Sequence, residues 1–236
     1  MEPIKLVQTW DPVAGRKQEY ASFITDEFRP AMQALGLEIV AGWYVLVGQG
    51  PHILVESMAD SLDQVEQALH DQRLREMLGR FRNMVSRYSC SVLVPTGRVA
   101  KDHRQVPVPQ GIKFIQSWDV QPGQNEEYDR FVQEVHLAKM EDLGLEIIAG
   151  WQIMIGSGPE ILSEALAPDL PALGKALGDE RYLRMITQME DLVTNYECRI
   201  LVRHRFFLDT LYKIHGRAIR GVDAEEIHPM VGPVVG

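Results

Sequence analysis

Apolar and polar positions intermingle from Ile4 to Asp11, and the mix of β-branched and aromatic residues there predicts a short strand ending at Pro12. The period then lengthens. Tyr20, Phe23, Ile24, Phe28, Ala31 and Leu35 recur at helical spacing, and Gly36 stands where a helix C-cap needs positive φ. Two further strands, Leu37 to Val47 and His52 to Met58, flank Gly48-Gln49-Gly50-Pro51, which reads as a hairpin turn. A second helix from Leu62 to about Val85 places the charges of "RLREMLGRFR" mainly on its outer face, and a last strand runs from Tyr88 to Val94. The predicted order is β-α-β-β-α-β.

The same order is then written again. Ile4 to Val94 align without a gap on Ile112 to Val202, and roughly 35 of the 91 pairs are identical, far above chance. "LGLEIVAGW" from Leu35 returns as "LGLEIIAGW" from Leu143, and the second helical stripe is Tyr128, Phe131, Val132, Val135, Met140 and Leu143, closed by Gly144. Each copy predicts a ferredoxin-like module, a four-stranded antiparallel sheet with both helices on one face, so the fold class is α+β. The open sheet face is apolar too: Leu37, Ile39, Ala41, Trp43 and Val45 fall on one side of the second strand, with Val40, Tyr44 and Leu46 on the other. Such a face needs cover, and the second copy can supply it sheet to sheet. The division expected is a first module over 1–97, a linker over 98–111, a second module over 112–205, and a C-terminal helix with an extended tail over 206–236.

Composition narrows the partners. The 236 residues are 45% hydrophobic, enough for a full core, and the net charge of −9 repels a phosphate backbone, so no nucleic acid is expected. No apolar run approaches the roughly 20 residues that span a bilayer, and the opening residues lack a signal-peptide pattern, so no membrane association is expected and the location expected is cytoplasmic. Cys90 and Cys198 occupy the same position in the two copies and read as two reduced, buried thiols.

A tandem βαββαβ pair with a charged second helix and a glycine hairpin resembles the dimeric α+β barrel superfamily. Families of that shape include antibiotic-biosynthesis monooxygenases, EthD-like and NIPSNAP-like proteins, muconolactone isomerases, and the haem-binding chlorite dismutase group, in which one chain also carries two modules. The resemblance covers about residues 4 to 205 and implies two sheets packed face to face. It carries no catalytic motif over residue by residue, and a fold that hosts unrelated chemistries does not decide function.

Candidate chemistry begins with Glu56 and Glu164, which alternate with apolar neighbours and so fall on an apolar strand face. A carboxylate there is a general base or polar anchor in a pocket, or a structural group bonded to Tyr, Trp or an Arg of the other copy. His136 replaces Phe28 on the apolar stripe of the first helix and so faces the sheet, as a base, a ligand or a hydrogen-bonded core residue. Trp118, Trp151, Tyr196 and Gln116, with their first-copy counterparts Trp10, Trp43, Tyr88 and Gln8, are either core or the lining of a cavity. Gln152 replaces Tyr44 as a second polar substitution. His52, His70, His103, His215 and His228 form no metal signature, and no metal is expected.

These residues predict a pocket for a small, largely apolar molecule between sheet and helices, with cofactor-free monooxygenase or isomerase chemistry, and with the polar end near His136, Glu164, Trp118 and Tyr196. The alternative is a non-catalytic assembly module whose barrel is filled by its own side chains. A third reading is haem binding through His136 or His215; otherwise no cofactor is expected. Homo-oligomerisation through edge strands or the tail is left open.

Overall fold

The computed structural model describes residues 3–99 and 111–203. Its strands are β1 (Ile4–Pro12), β2 (Glu38–Val47), β3 (Ile53–Ala59), β4 (Val85–Pro95), β5 (Ile112–Val120), β6 (Glu146–Ile155), β7 (Ile161–Ala167) and β8 (Val193–Arg203). All pair antiparallel in one closed barrel, in the order β1-β3-β2-β8-β5-β7-β6-β4. Each copy supplies four consecutive strands of that circle. The seams are β2 with β8, where Trp43 faces Arg203 and Val45 faces Leu201, and β4 with β6, where Leu93 faces Ile153. Closure leaves no free edge among the described strands, so edge-strand pairing with another molecule, one route expected for oligomerisation, has no edge to use.

The helices lie outside the barrel and divide the apolar residues into three cores. Trp10, Phe28 and Phe81 centre the core behind the first sheet, and Trp118, Tyr128, Met140 and Met189 the core behind the second. The lumen holds the third: Trp43, Trp151, Leu54, Leu93, Leu162 and Leu201.

Three local features depart from simple periodicity, each in both copies. The register slips between Ile39 and Ala41, and again between Ile147 and Ala149. Such a bulge reverses the alternation, so Leu37 and Ile39 face the helices while Ala41, Trp43 and Val45 face the lumen, and the single face read from the sequence is two half-faces. The first helix is likewise not uniform. It runs as α1 (Lys17–Phe23) and α2 (Arg29–Ala34) with a π-helical turn, Ile24–Phe28, between them; α5 (Asn125–Phe131) and α6 (Leu137–Asp142) flank a second one at Val132–His136. The second helix is broken into α3 (Leu62–His70) and α4 (Gln72–Phe81), and in the other copy into α7 (Leu170–Leu177) and α8 (Glu180–Glu190). Asp71 and Asp179 stand at the breaks with extended ψ of 129° and 135°, and their carboxylates accept from the next helix's backbone at Arg73 and Arg181. A carboxylate that caps a new helix offsets the hydrogen bonds lost by ending the old one. Gly36 and Gly144 take φ of 72° and 75°, as helix C-caps require.

The linker beyond residue 99, with His103, and the C-terminal helix and tail, with His215 and His228, lie outside the described residues.

Candidate functional site

Two places in the barrel collect polar groups away from water, and they lie on opposite faces of the second sheet. The first is the lumen. Lys5 on β1 and Lys113 on β5 are the same position in the two copies, and each points inward at 4% and 2% exposure. Lys5 Nζ donates to Glu56 Oε1 at 2.9 Å and to both oxygens of Glu164 at 2.8 Å. Lys113 Nζ reaches Glu56 Oε1 at 2.5 Å and Glu164 Oε2 at 3.1 Å. Each ammonium thus bridges carboxylates of both copies. Trp43 Nε1 donates to Glu56 Oε2 at 2.7 Å, and the two ammoniums sit over indole faces, Lys5 over Trp151 at 4.5 Å and Lys113 over Trp43 at 5.0 Å.

At Glu56 and Lys5 burial opposes charge, but the pairing outweighs it. Burial would raise the Glu56 carboxyl, yet Lys113 and Lys5 hold it well below the carboxylate range; burial would lower Lys5, yet Glu164 and Glu56 hold it above its ordinary value. The four charges sum to zero and satisfy one another. Glu56 and Glu164 are therefore ion-paired inside a filled lumen, and neither is presented to the helix-side cleft where Glu164 was expected.

The second place is that cleft, between the second sheet and its first helix. It is a shallow depression that encloses about 20 Å³, room for about one water molecule, and its floor and walls are Trp118, Tyr128, Val132, His136, Leu137, Ile161 and Ser163. The remaining side is built by the chain leaving β4. Thr96 N donates to the Gly150 carbonyl at 2.9 Å, so residues 96–99 cross β6 at the one position without a side chain; a Cβ there would meet Thr96 Oγ1 at 2.9 Å. Arg98 pins this strap. Its guanidinium bonds Asp129 Oδ1 at 2.7 Å from Nε and 2.5 Å from Nη2, and it lies 5.1 Å over the Tyr128 ring.

His136 ends the π-helical turn and is 1% exposed. Its Nε2 has no hydrogen-bond partner among the described residues, and burial pulls its pKa down to about 4, so the ring is neutral at neutral pH. Trp118 packs edge-on against it at 5.9 Å. Trp118 Nε1 donates to the Tyr128 hydroxyl at 3.0 Å, and burial pushes that phenol up to about 12. A neutral, unpaired imidazole in an apolar cleft can accept or give one proton to a ligand, and that is the chemistry available here.

The other expected residues are placed differently. Tyr196 stacks on Trp118 at 6.3 Å, one layer behind the cleft, and Gln116 Nε2 donates to Tyr196 at 2.7 Å and to Tyr182 at 3.3 Å, so both are committed to the core. Trp151 is in the lumen, because the bulge at Ile147 turns it there. Gln152 is exposed and donates to Glu160 at 2.8 Å, on the outer surface beyond the helices. Cys90 is half-buried and Cys198 exposed, so only their free state matches expectation. Sequence reasoning missed Lys5, Lys113, Ser163 and the strap. The signal for the lysines was their appearance between apolar residues at the same place in both copies; for Ser163 it was its replacement of Val55.

No protein-family model matches the sequence, and no curated protein matches it. Solved structures do. A protein of Fusobacterium nucleatum provisionally described as a monooxygenase shares 11% identity at a TM-score of 0.60 over 86% of this chain and 92% of its own. A variant chlorite dismutase from Candidatus Nitrospira defluvii shares 12% at 0.60 over 89% and 94%. The chain has the dimeric α+β barrel fold. A third neighbour, from Lactobacillus acidophilus and also provisionally a monooxygenase, gives 11% and 0.56 over 86% and 94%. At these identities the likeness extends to the fold and no further.

Haem, the cofactor the resemblance brings with it, does not fit the cleft as it stands. The space beside His136 is taken by Trp118, Val132 and Leu137, and what they leave has room for about one water molecule, far short of a porphyrin. His215 lies outside the described residues. Among the described residues, no three His, Cys, Asp or Glu side chains cluster so as to hold a metal ion. No helix among them is long and apolar enough to cross a membrane.

Proposed function

We propose that the chain binds a small, largely apolar molecule in the second-module cleft and that His136 engages the polar atom of that molecule. The observation that carries this reading is the unpartnered Nε2 of a fully buried histidine on the cleft wall. A buried polar atom left unpaired costs about 1–3 kcal/mol, a cost that a ligand's hydrogen bond would remove. The chemistry such a site would support is proton transfer without a cofactor. A neutral imidazole can take a proton from a ligand and return it to another atom, which completes an isomerisation; an oxidation would need dioxygen as electron acceptor. The filled lumen supports a second reading, a non-catalytic assembly module held by its own side chains.

A thermal-shift screen of small aromatic and aliphatic compounds on the wild type and His136→Phe separates the two. Ligand binding raises the midpoint in proportion to RT ln(1 + [L]/Kd). Shifts in the wild type that vanish in His136→Phe support the cleft. Equal shifts in both remove His136 from the site, and no shift with any compound leaves the assembly reading.

A further inference from the structure

The strap over the second module, residues 96–99, has no counterpart over the first among the described residues, and the duplication of the chain indicates what would occupy that place. We propose that the C-terminal segment His204-Arg205-Phe206-Phe207 docks on the first module as residues 96–99 dock on the second, with Phe206 over Tyr20 and Ala21 and Phe207 closing the groove between β2 and the first helix. The path is set by where β8 ends. In the second module β4 ends at Pro95, paired with Trp151, and the next residue, Thr96, donates its amide to the Gly150 carbonyl at 2.9 Å. β8 ends at Arg203, paired in the same way with Trp43, so the next amide, that of His204, arrives at Gly42. Gly42 precedes Trp43 as Gly150 precedes Trp151, and it too is buried and carries no side chain to block a crossing.

The side chains match the partners they would meet. In the second module Arg98 lies over the Tyr128 ring and bonds the Asp129 carboxylate. At the same offset of 108 the first module has Tyr20 followed by Ala21, and the C-terminal segment has Phe206. A carboxylate faces a guanidinium in one copy, and a methyl group faces a phenyl ring in the other. Val99, which packs on the second core, corresponds to Phe207. The wall that Phe207 meets is made of Tyr20, Ile24 and Ile53, as deeply buried as Tyr128, Val132 and Ile161 beside the strap. Two adjacent phenylalanines gain by leaving water, and this groove is the apolar surface within reach of a chain that has just left Arg203. Sequence identity between the copies ends at Val202, so beyond it the path is retained while the contacting residues on both sides are exchanged together. The occupant is the chain's own segment, because residues 96–99 span the same distance beyond Pro95.

Thermal melts of the full chain carrying Phe206→Arg, Ala21→Asp and both together test the contact. Phe206→Arg alone should lower the midpoint by about 2–4 °C, through loss of the apolar contact. In the Ala21→Asp background the same change should leave the midpoint level or raise it, because the pair then repeats the Arg98–Asp129 contact, and about 1 M NaCl should erase that recovery. Amide exchange followed by NMR reads the backbone. The His204 amide should exchange about tenfold or more slowly than in an unstructured chain, and Gly42→Leu should release it; where Gly42→Leu does not fold, Phe207→Ser should speed the exchange instead. A Phe206→Arg change without effect in either background, simple addition of the two substitutions, or an unprotected His204 amide overturns the proposal. A midpoint that rises with protein concentration also overturns it, since another copy's segment would then fill the groove.

Discussion

Behind the first sheet, Phe28 meets Trp10 at 5.7 Å and Phe81 at 5.2 Å, and five more aromatic contacts converge on Phe81 or Trp10. Behind the second, the same positions hold His136, Trp118 and Met189, and the space beside His136 opens as the cleft. Backbone does not separate them: both copies have the π-helical turn, the bulge, the Asp-capped break and the glycine C-cap. Two substitutions do. Replacing a phenyl ring by an imidazole and another by a thioether leaves aromatic packing incomplete and one polar atom unpaired, which closed cores avoid. The first core reads as stability alone, and the second as stability given up locally around one group.

The largest effect tests what the halves share. The lumen cluster uses one lysine and one glutamate from each copy, so Lys5→Met and Lys113→Met should each lower unfolding free energy by about 3–5 kcal/mol, leaving a buried carboxylate under-compensated. Urea denaturation of both variants checks this; a large difference between them would show that the two halves of the cluster are not equivalent. Replacing all four charges together by apolar residues should cost far less than either single change, because no charge is then stranded.

Next comes pH, where the halves should part. His136 is held neutral down to about 4 while an unfolded imidazole titrates near 6.5, so the unfolded state binds the extra proton between those values. Stability should fall as pH drops from 6.5 to 4, by about 3 kcal/mol in all. His136→Phe should abolish that slope, as Phe28 has nothing to titrate. The Glu56 contribution occupies a lower window: its folded pKa is depressed, so its stabilisation is complete above the ordinary value of 4.5 and is lost as pH falls further. Chemical denaturation at half-unit pH steps resolves the two.

Exchanging the residues themselves should give a smaller, signed difference. Phe28→His inserts an unpaired imidazole among Trp10 and Phe81 and should cost about 2–3 kcal/mol, whereas His136→Phe should be neutral or stabilising by up to about 1 kcal/mol. Thermal melts of both variants at pH 7 measure this; equal and opposite changes would mean that the cores are interchangeable. Smallest in stability is Gly150→Ala, about 1 kcal/mol, because its Cβ would press on Thr96 Oγ1 and Val99 Cγ2 at 2.9 and 3.4 Å and lift the strap. The informative readout is access: diethyl pyrocarbonate should modify His136 faster in Gly150→Ala than in the wild type, as followed by peptide mass.

How much of this was legible follows from where the signals sit. Module order and pairing were, since helical and alternating periods are local and the duplication doubles each of them. His136 was also legible as an inward group, because Phe28 marked its position as apolar. Trp151 was misassigned because one bulge residue reverses every side chain after it, and nothing local in "LGLEIIAGW" announces the bulge. Glu164 was rightly read as buried and wrongly grouped with His136, since alternation says that a side chain leaves the solvent without saying to which face of a two-faced sheet it goes. Its partner, Lys5, is 159 positions away in the sequence. Gln152 lies past the helices, where the outer face of the sheet is wet.

The joining of both copies in one polypeptide has a consequence for what can change over generations. In a barrel assembled from two identical molecules, any substitution appears twice, and a histidine behind one sheet brings a histidine behind the other. Assembly would also depend on concentration, whereas a tether of a dozen or so residues supplies its partner at about millimolar effective concentration. A fused pair can keep one half as an unaltered brace while the other accumulates defects singly. His136 opposite Phe28 is such a defect, present in one dose.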